Sequence, residues 1–201
     1  MDGKTHRLGG IASSVVTGAI LVAMENPLDL FSAGLLIQGG AFGGIIADID
    51  HPGSIVSRKL PWLSKIVTSF TKHRGITHTL LTSIVLTGGL SALTTLLPEP
   101  LRYYAMFWII GVFVGYLSHL CLDMITRAGV KLLYPISNYS FRIASLNEKD
   151  HKEIVRFVVV IVSAAILVYM FKSGDIGPND LSAITKNTSI AISDGFKSFR
   201  M

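Results

Sequence analysis

The run Lys72-His73-Arg74-Gly75-Ile76-Thr77-His78 sets two imidazoles five residues apart among basic residues, directly before a long apolar stretch. Imidazole is the commonest metal ligand near neutral pH, and two in one short turn can reach a single ion. Three other places carry the same chemistry: Asp48-Ile49-Asp50-His51, His119 with Asp123 four residues further on, and His6. On a helix, His119 and Asp123 share one face and can bind one ion or each other. Two carboxylates beside His51 repel unless a cation or a proton lies between them. The candidate metal ligands are therefore His6, Asp48, Asp50, His51, His73, His78, His119 and Asp123. Arg74 and Arg127 adjoin them as candidate substrate-binding groups. The planar fork of arginine suits a phosphate, although ordinary loop charge is the competing reading. His151 sits in a Lys/Asp/Glu-rich run and reads as solvated, and Cys121 points away from the His119–Asp123 face and reads as a packing residue.

The elements that must position these groups are membrane helices. Half of the 201 residues are hydrophobic and 15% are charged. A soluble domain carries about a quarter charged residues. Mean hydropathy is +0.53. The pattern predicts an all-α, multi-span transmembrane bundle of about five spans, over 8–24, 30–47, 79–97, 101–127 and 154–171. Asp29 is placed to cap the second span, and Pro98-Glu99-Pro100 reads as a turn before the fourth. The second span is rich in Gly34, Gly39, Gly40, Gly43 and Gly44, which allow close helix packing in lipid. The fourth, roughly 40 Å long, exceeds a hydrocarbon core of about 30 Å, so His119 and Asp123 can reach the headgroup zone. A short interfacial helix is expected over 63–70, with Trp62 as an anchor. Residues 1–171 form the membrane domain. Residues 172–201 form a polar tail, in which Leu181, Ile184, Thr188, Ile192 and Phe196 recur at helical spacing.

Charge orients the bundle. With five spans, thirteen of the eighteen Lys and Arg residues fall on one side, which the positive-inside rule assigns to the cytoplasm together with the N-terminus. The net charge of +5 is thereby assigned to loops facing anionic lipid, and no nucleic-acid partner is expected. All four motifs lie at that same surface. One cysteine excludes an internal disulfide and a Cys-rich zinc site, and no phosphate-binding glycine loop is present.

His6, the Asp48-Ile49-Asp50-His51-Pro52 run after a Gly-rich span, His73-Arg74-Gly75-Ile76-Thr77-His78, and Gly115-Tyr116-Leu117-Ser118-His119 leading to Asp123 together resemble the YdjM-like family of bacterial inner-membrane, metal-dependent hydrolases, described as LexA-regulated. That family looks distantly similar to zinc-dependent phospholipases C and single-strand nucleases, whose His-x-x-x-Asp ligand pair would fall on His119 and Asp123. The resemblance implies a divalent cation, zinc above all, in one to three copies. It implies cleavage of an ester, most readily a phosphoester, in a lipid or lipid-phosphate substrate. Asp48, Asp50 and Asp123 would be the catalytic carboxylates, one of them acting as general base. The alternatives are a non-catalytic metal-binding or metal-transport protein, and a bundle whose polar pairs are purely structural.

Overall fold

A computed structural model of the chain describes residues 3–24, 26, 28–70, 75–147, 149 and 150, together with 152, 153, 155, 156, 159, 160 and 162. His73, Arg74, His151, most of the expected span 154–171 and the whole tail 172–201 lie outside the described residues. Six α-helices and no β-strand occur among those described: α1 (Gly3–Ala23), α2 (Leu30–Ile46), α3 (Ile55–Lys59), α4 (Pro61–Phe70), α5 (Leu80–Thr94) and α6 (Glu99–Met124). Three stretches, Gly3–Ala23, Leu30–Asp50 and Glu99–Met124, are long and apolar enough to cross a membrane. The molecule is a helical membrane bundle.

Local chemistry sets the helix ends. The Asp29 carboxylate accepts from the Phe31 and Ser32 backbone N–H groups at 2.8 and 3.0 Å, capping α2 as its position predicts. Two expectations need correction. Pro98-Glu99-Pro100 is no turn between spans but the start of α6: Pro98 is the N-cap and Pro100 lies in the first turn, where a missing N–H costs nothing. The expected third span, 79–97, contains α5 of only 15 residues. That is about 22 Å of helix, short of a hydrocarbon core of about 30 Å. Its apolar continuation, Thr95 to Leu97, leaves the helix in a series of tight turns.

Glycine holds α1, α2 and α6 together. A Cβ built on Gly10 would fall closer than 3.0 Å to the Gly40 carbonyl of α2, and one on Gly43 or Gly39 would meet the α6 backbone equally closely. A methyl group at these points would push backbone away from backbone, so the helices approach as tightly as small residues permit. Gly34, also on α2, has nothing within 4 Å.

At one end of the bundle α2 tightens into a 3-10 turn, Ala47–Asp50. Ile46, Ala47 and Ile49 pack there with Val56, Tyr116, Leu120 and Val130. The short α4 closes over this cluster. Its Ser64 hydroxyl donates to the Ile49 carbonyl at 2.8 Å, and Leu63 and Val67 face inward. Trp62, Ile66 and Phe70, at helical spacing on its other side, are exposed, as suits a helix lying in the membrane interface.

Candidate metal centre

Four helix ends supply the polar groups at this end of the bundle. His6 lies in the first turn of α1, inside the helix rather than before it. Asp48 and Asp50 come from the 3-10 turn after α2. His78 closes a second 3-10 turn, Ile76–His78, just ahead of α5, and His119 and Asp123 occupy the last turns of α6. Their side chains are buried: His78 and His119 at 0%, His6 at 1%, Asp123 at 2% and Asp48 at 13% exposure.

The distances are short enough for these atoms to share one cation. His78 Nε2 lies 3.2 Å from His119 Nε2, 3.4 Å from Asp48 Oδ1 and 3.5 Å from Asp123 Oδ2. His119 Nε2 lies 3.7 Å from Asp48 Oδ1 and 3.6 Å from Asp123 Oδ2. Ligands about 2.05 Å from a tetrahedral zinc are separated from one another by about 3.3 Å. His6 stacks on His119 with ring centroids 3.7 Å apart, and its Nε2 lies 3.3 Å from the other oxygen of Asp123, Oδ1. Two triads thus draw ligand atoms within 4.8 Å of one another: Asp48, His78 and His119, and His6, His119 and Asp123.

Supporting groups fix which nitrogen each imidazole turns inward. His119 Nδ1 lies 2.9 Å from the Gly44 carbonyl, which can only accept, so Nδ1 carries the proton and Nε2 presents its lone pair. The Thr77 hydroxyl donates to Asp50 Oδ2 at 2.5 Å, so its oxygen accepts from His78 Nδ1 at 3.1 Å. His78 Nε2 is then also a lone pair. Two such lone pairs 3.2 Å apart repel unless a proton or a metal ion lies between them. Thr77 is itself held by the Tyr116 hydroxyl, which donates to its backbone carbonyl. Sequence reasoning missed Gly44, Thr77 and Tyr116. Only Tyr116 left a signal, three residues before His119 on the same face of α6.

In the metal-free chain, burial works against a charge on His78. Hydrogen bonds to Asp48 and Asp50 and the charge of Asp123 outweigh it, and its pKa is pushed up from 6.5 to about 9. A proton then stands where a cation would. A raised histidine pKa stabilises the fold fully below about pH 6.5 and ceases to do so as pH rises through about 9. Thermal unfolding in EDTA is therefore expected to show a melting temperature that falls across this window.

The remaining candidates lie elsewhere. Asp50 sits on the Nδ1 side of His78, at 3.6 Å, and outside both triads, so it supports a ligand rather than joining the set. His51 is exposed and also outside both triads, because the chain turns extended there after the 3-10 turn. Arg127 is exposed beyond the end of α6, donates to Asn147 Oδ1 at 2.5 Å, and accepts at its carbonyl from Arg142. Cys121 is exposed on α6 instead of packed.

A Bacillus subtilis (strain 168) protein, "Uncharacterized protein YvsG", is 38% identical over 135 residues, which cover 67% of this chain and 74% of that protein. The "Inner membrane protein YdjM" of Escherichia coli (strain K12) and that of Shigella flexneri are each 36% identical over 120 residues, 57% of this chain. The matched region is 56% of those two proteins' length, so this chain spans about half of each. No solved structure matches. Residues 1–176 match the YdjM inner membrane protein family, and the chain belongs to it.

Proposed function

We propose that the chain is a membrane-embedded, metal-dependent hydrolase that cleaves a phosphoester of a lipid or lipid-linked substrate. The observation that carries the metal half of this reading is the pair of inward-facing Nε2 lone pairs of His78 and His119, 3.2 Å apart and flanked by the Asp48 and Asp123 carboxylates. Neutral imidazoles and carboxylates of this kind suit zinc. A zinc ion bound there supplies Lewis acidity and lowers the pKa of water to near 7.

The chain's own residues divide the remaining work. Asp48 is the most accessible of the three carboxylates, at 13% exposure, and is assigned proton transfer with the attacking water. Asp123 turns one oxygen to His6 and the other to His78 and His119, so it can join two cation positions. Asp50 and Thr77 hold His78 in its tautomer. Arg127 is bonded to Asn147 away from the cluster, so no phosphate role is assigned to it. Placement at helix ends suits a centre at headgroup depth, where a lipid phosphate lies, and the excess of Lys and Arg counted on this side of a five-span chain supports a cytoplasmic surface. Transport is less favoured because a transport site belongs near mid-membrane on broken helices.

The test uses purified full-length chain in mixed micelles containing a lipid phosphate. Bound zinc, with phosphate release abolished by EDTA and restored by zinc, is the expected result. Bound zinc without release from any phospholipid or lipid phosphate would return the chain to a metal-binding or transport role.

A further inference from the structure

A groove of about 360 Å³ runs between α5 and α6, lined by Ile84, Thr87 and Gly88 on α5 and by Met106, Ile109 and Phe113 on α6. Among the described residues, no charged one lines it. The Thr87 hydroxyl is turned onto the Ser83 carbonyl at 2.7 Å, which leaves the wall effectively apolar. Gly88 has nothing within 4 Å of an added Cβ, so the α5 side of the groove is a notch in the helix surface.

Position gives the groove a meaning. Ile84 lies six residues past His78, and Phe113 lies six residues before His119. Along α6 the upper end of the groove is therefore about 9 Å below the cluster. From Ile84 to Ser91 it continues for about 10 Å into the apolar depth of the bundle. We propose that this groove seats one acyl chain of the lipid whose phosphate lies at the His/Asp cluster, making the substrate a long-chain lipid held by its tail as well as its headgroup. The proposal rests on the reading of that cluster as a phosphate-lipid site.

The lining is apolar along its length, which suits a hydrocarbon chain. The gain is registration more than affinity. Lipid tails are as apolar as the groove, so transfer between them contributes little, and close packing against the walls is what fixes the headgroup beneath the ligands.

The test reads occupancy directly. Full-length protein with zinc is reconstituted in phosphatidylcholine vesicles containing a trace of the non-hydrolysable phosphonate analogue of phosphatidic acid bearing a mid-chain diazirine. A diacylglycerol with the same chain serves as the comparison. After irradiation, peptides are sequenced by mass spectrometry. Labelling of Ile84, Met106 and Ile109 is expected to be at least fivefold greater with the phosphonate-bearing probe. Gly88→Leu should abolish that preference. Gly89→Leu, on the neighbouring residue outside the lining, should leave it intact. Both substitutions raise helix propensity and meet no neighbour, so both variants should fold. Equal labelling by the two probes, no labelling of the groove, or labelling indifferent to Gly88→Leu would overturn the proposal. Selective labelling without phosphate release would support the tail site while ending the hydrolase reading. Phosphate release with unselective labelling would do the reverse.

Discussion

Replacing Asp123 with alanine is expected to leave the purified chain without zinc. The carboxylate takes part in every arrangement the cluster allows: Oδ1 lies 3.3 Å from His6 Nε2, and Oδ2 lies 3.5 and 3.6 Å from the Nε2 atoms of His78 and His119. Among the described residues, no other carboxylate is placed within 4 Å of all three imidazoles. The His119 Nε2 lone pair can enter the coordination of only one cation, because Nδ1 is committed to the Gly44 carbonyl. A second cation would therefore depend on Asp123 to bridge. Loss of a supporting residue behind a ligand costs about 10–100-fold in metal affinity, and loss of this ligand should exceed the upper figure. Asp50→Asn, which alters the support that Asp50 gives Thr77 and His78, should fall within that range and still fill at high zinc. Equilibrium dialysis followed by elemental analysis separates the two, with lipid-phosphate release as a second readout. Asp123→Asn keeps the shape of the side chain and guards against a folding defect. Wild-type zinc affinity in both Asp123 variants would remove the cation from this account.

The reason for the difference between Asp48 and Asp50 also shows where sequence reading stopped. Both stood out as carboxylates at the end of an apolar span, and both were expected to be ligands. Two residues apart on a 3-10 turn of three residues per turn, they point in different directions. One reaches the triad and the other the far side of His78. That distinction depends on the tightening of α2 into a 3-10 turn, for which Ala-Asp-Ile-Asp gives no local signal. His51 is one step further, where the backbone has already turned extended. By contrast, the meeting of His6, Asp48, His78, His119 and Asp123 was legible. The expected alternation of spans placed the start of α1, the end of α2, the approach to α5 and the end of α6 on one side; α5 is too short for a full hydrocarbon core, yet the four ends still meet. The tight glycine packing of α2 was legible as well. Its extent was not, since Gly39, Gly40, Gly43 and Gly44 recur on one face and Gly34 falls away from it.

That same glycine face carries the second large effect. Gly44→Ala is expected to destabilise the bundle and to damage the metal centre with one methyl group. A Cβ on Gly44 would fall closer than 3.0 Å to the His6 carbonyl oxygen and 3.1 Å from the His6 carbonyl carbon. The obstacle is the α1 backbone, which cannot swing aside as a flexible side chain would. Overpacking costs about 1–3 kcal/mol, and backbone against backbone belongs at the top of that range. For a chain of this size, about 3 kcal/mol lowers the melting temperature by roughly 6–12 °C. The displaced element is the first turn of α1, which carries His6. The shifted element is α2, whose Gly44 carbonyl fixes the His119 tautomer at 2.9 Å. Zinc affinity should therefore drop together with stability. Gly34→Ala supplies the contrast on the same helix. It meets nothing within 4 Å and removes a glycine from a helix interior, so it should be neutral or stabilising by up to about 1 kcal/mol, with zinc binding unchanged. Melting curves of both variants in detergent, with and without zinc, decide the matter. If Gly44→Ala melts with Gly34→Ala and binds zinc as tightly, the close approach of α1 to α2 is not what holds His6 and His119 in place.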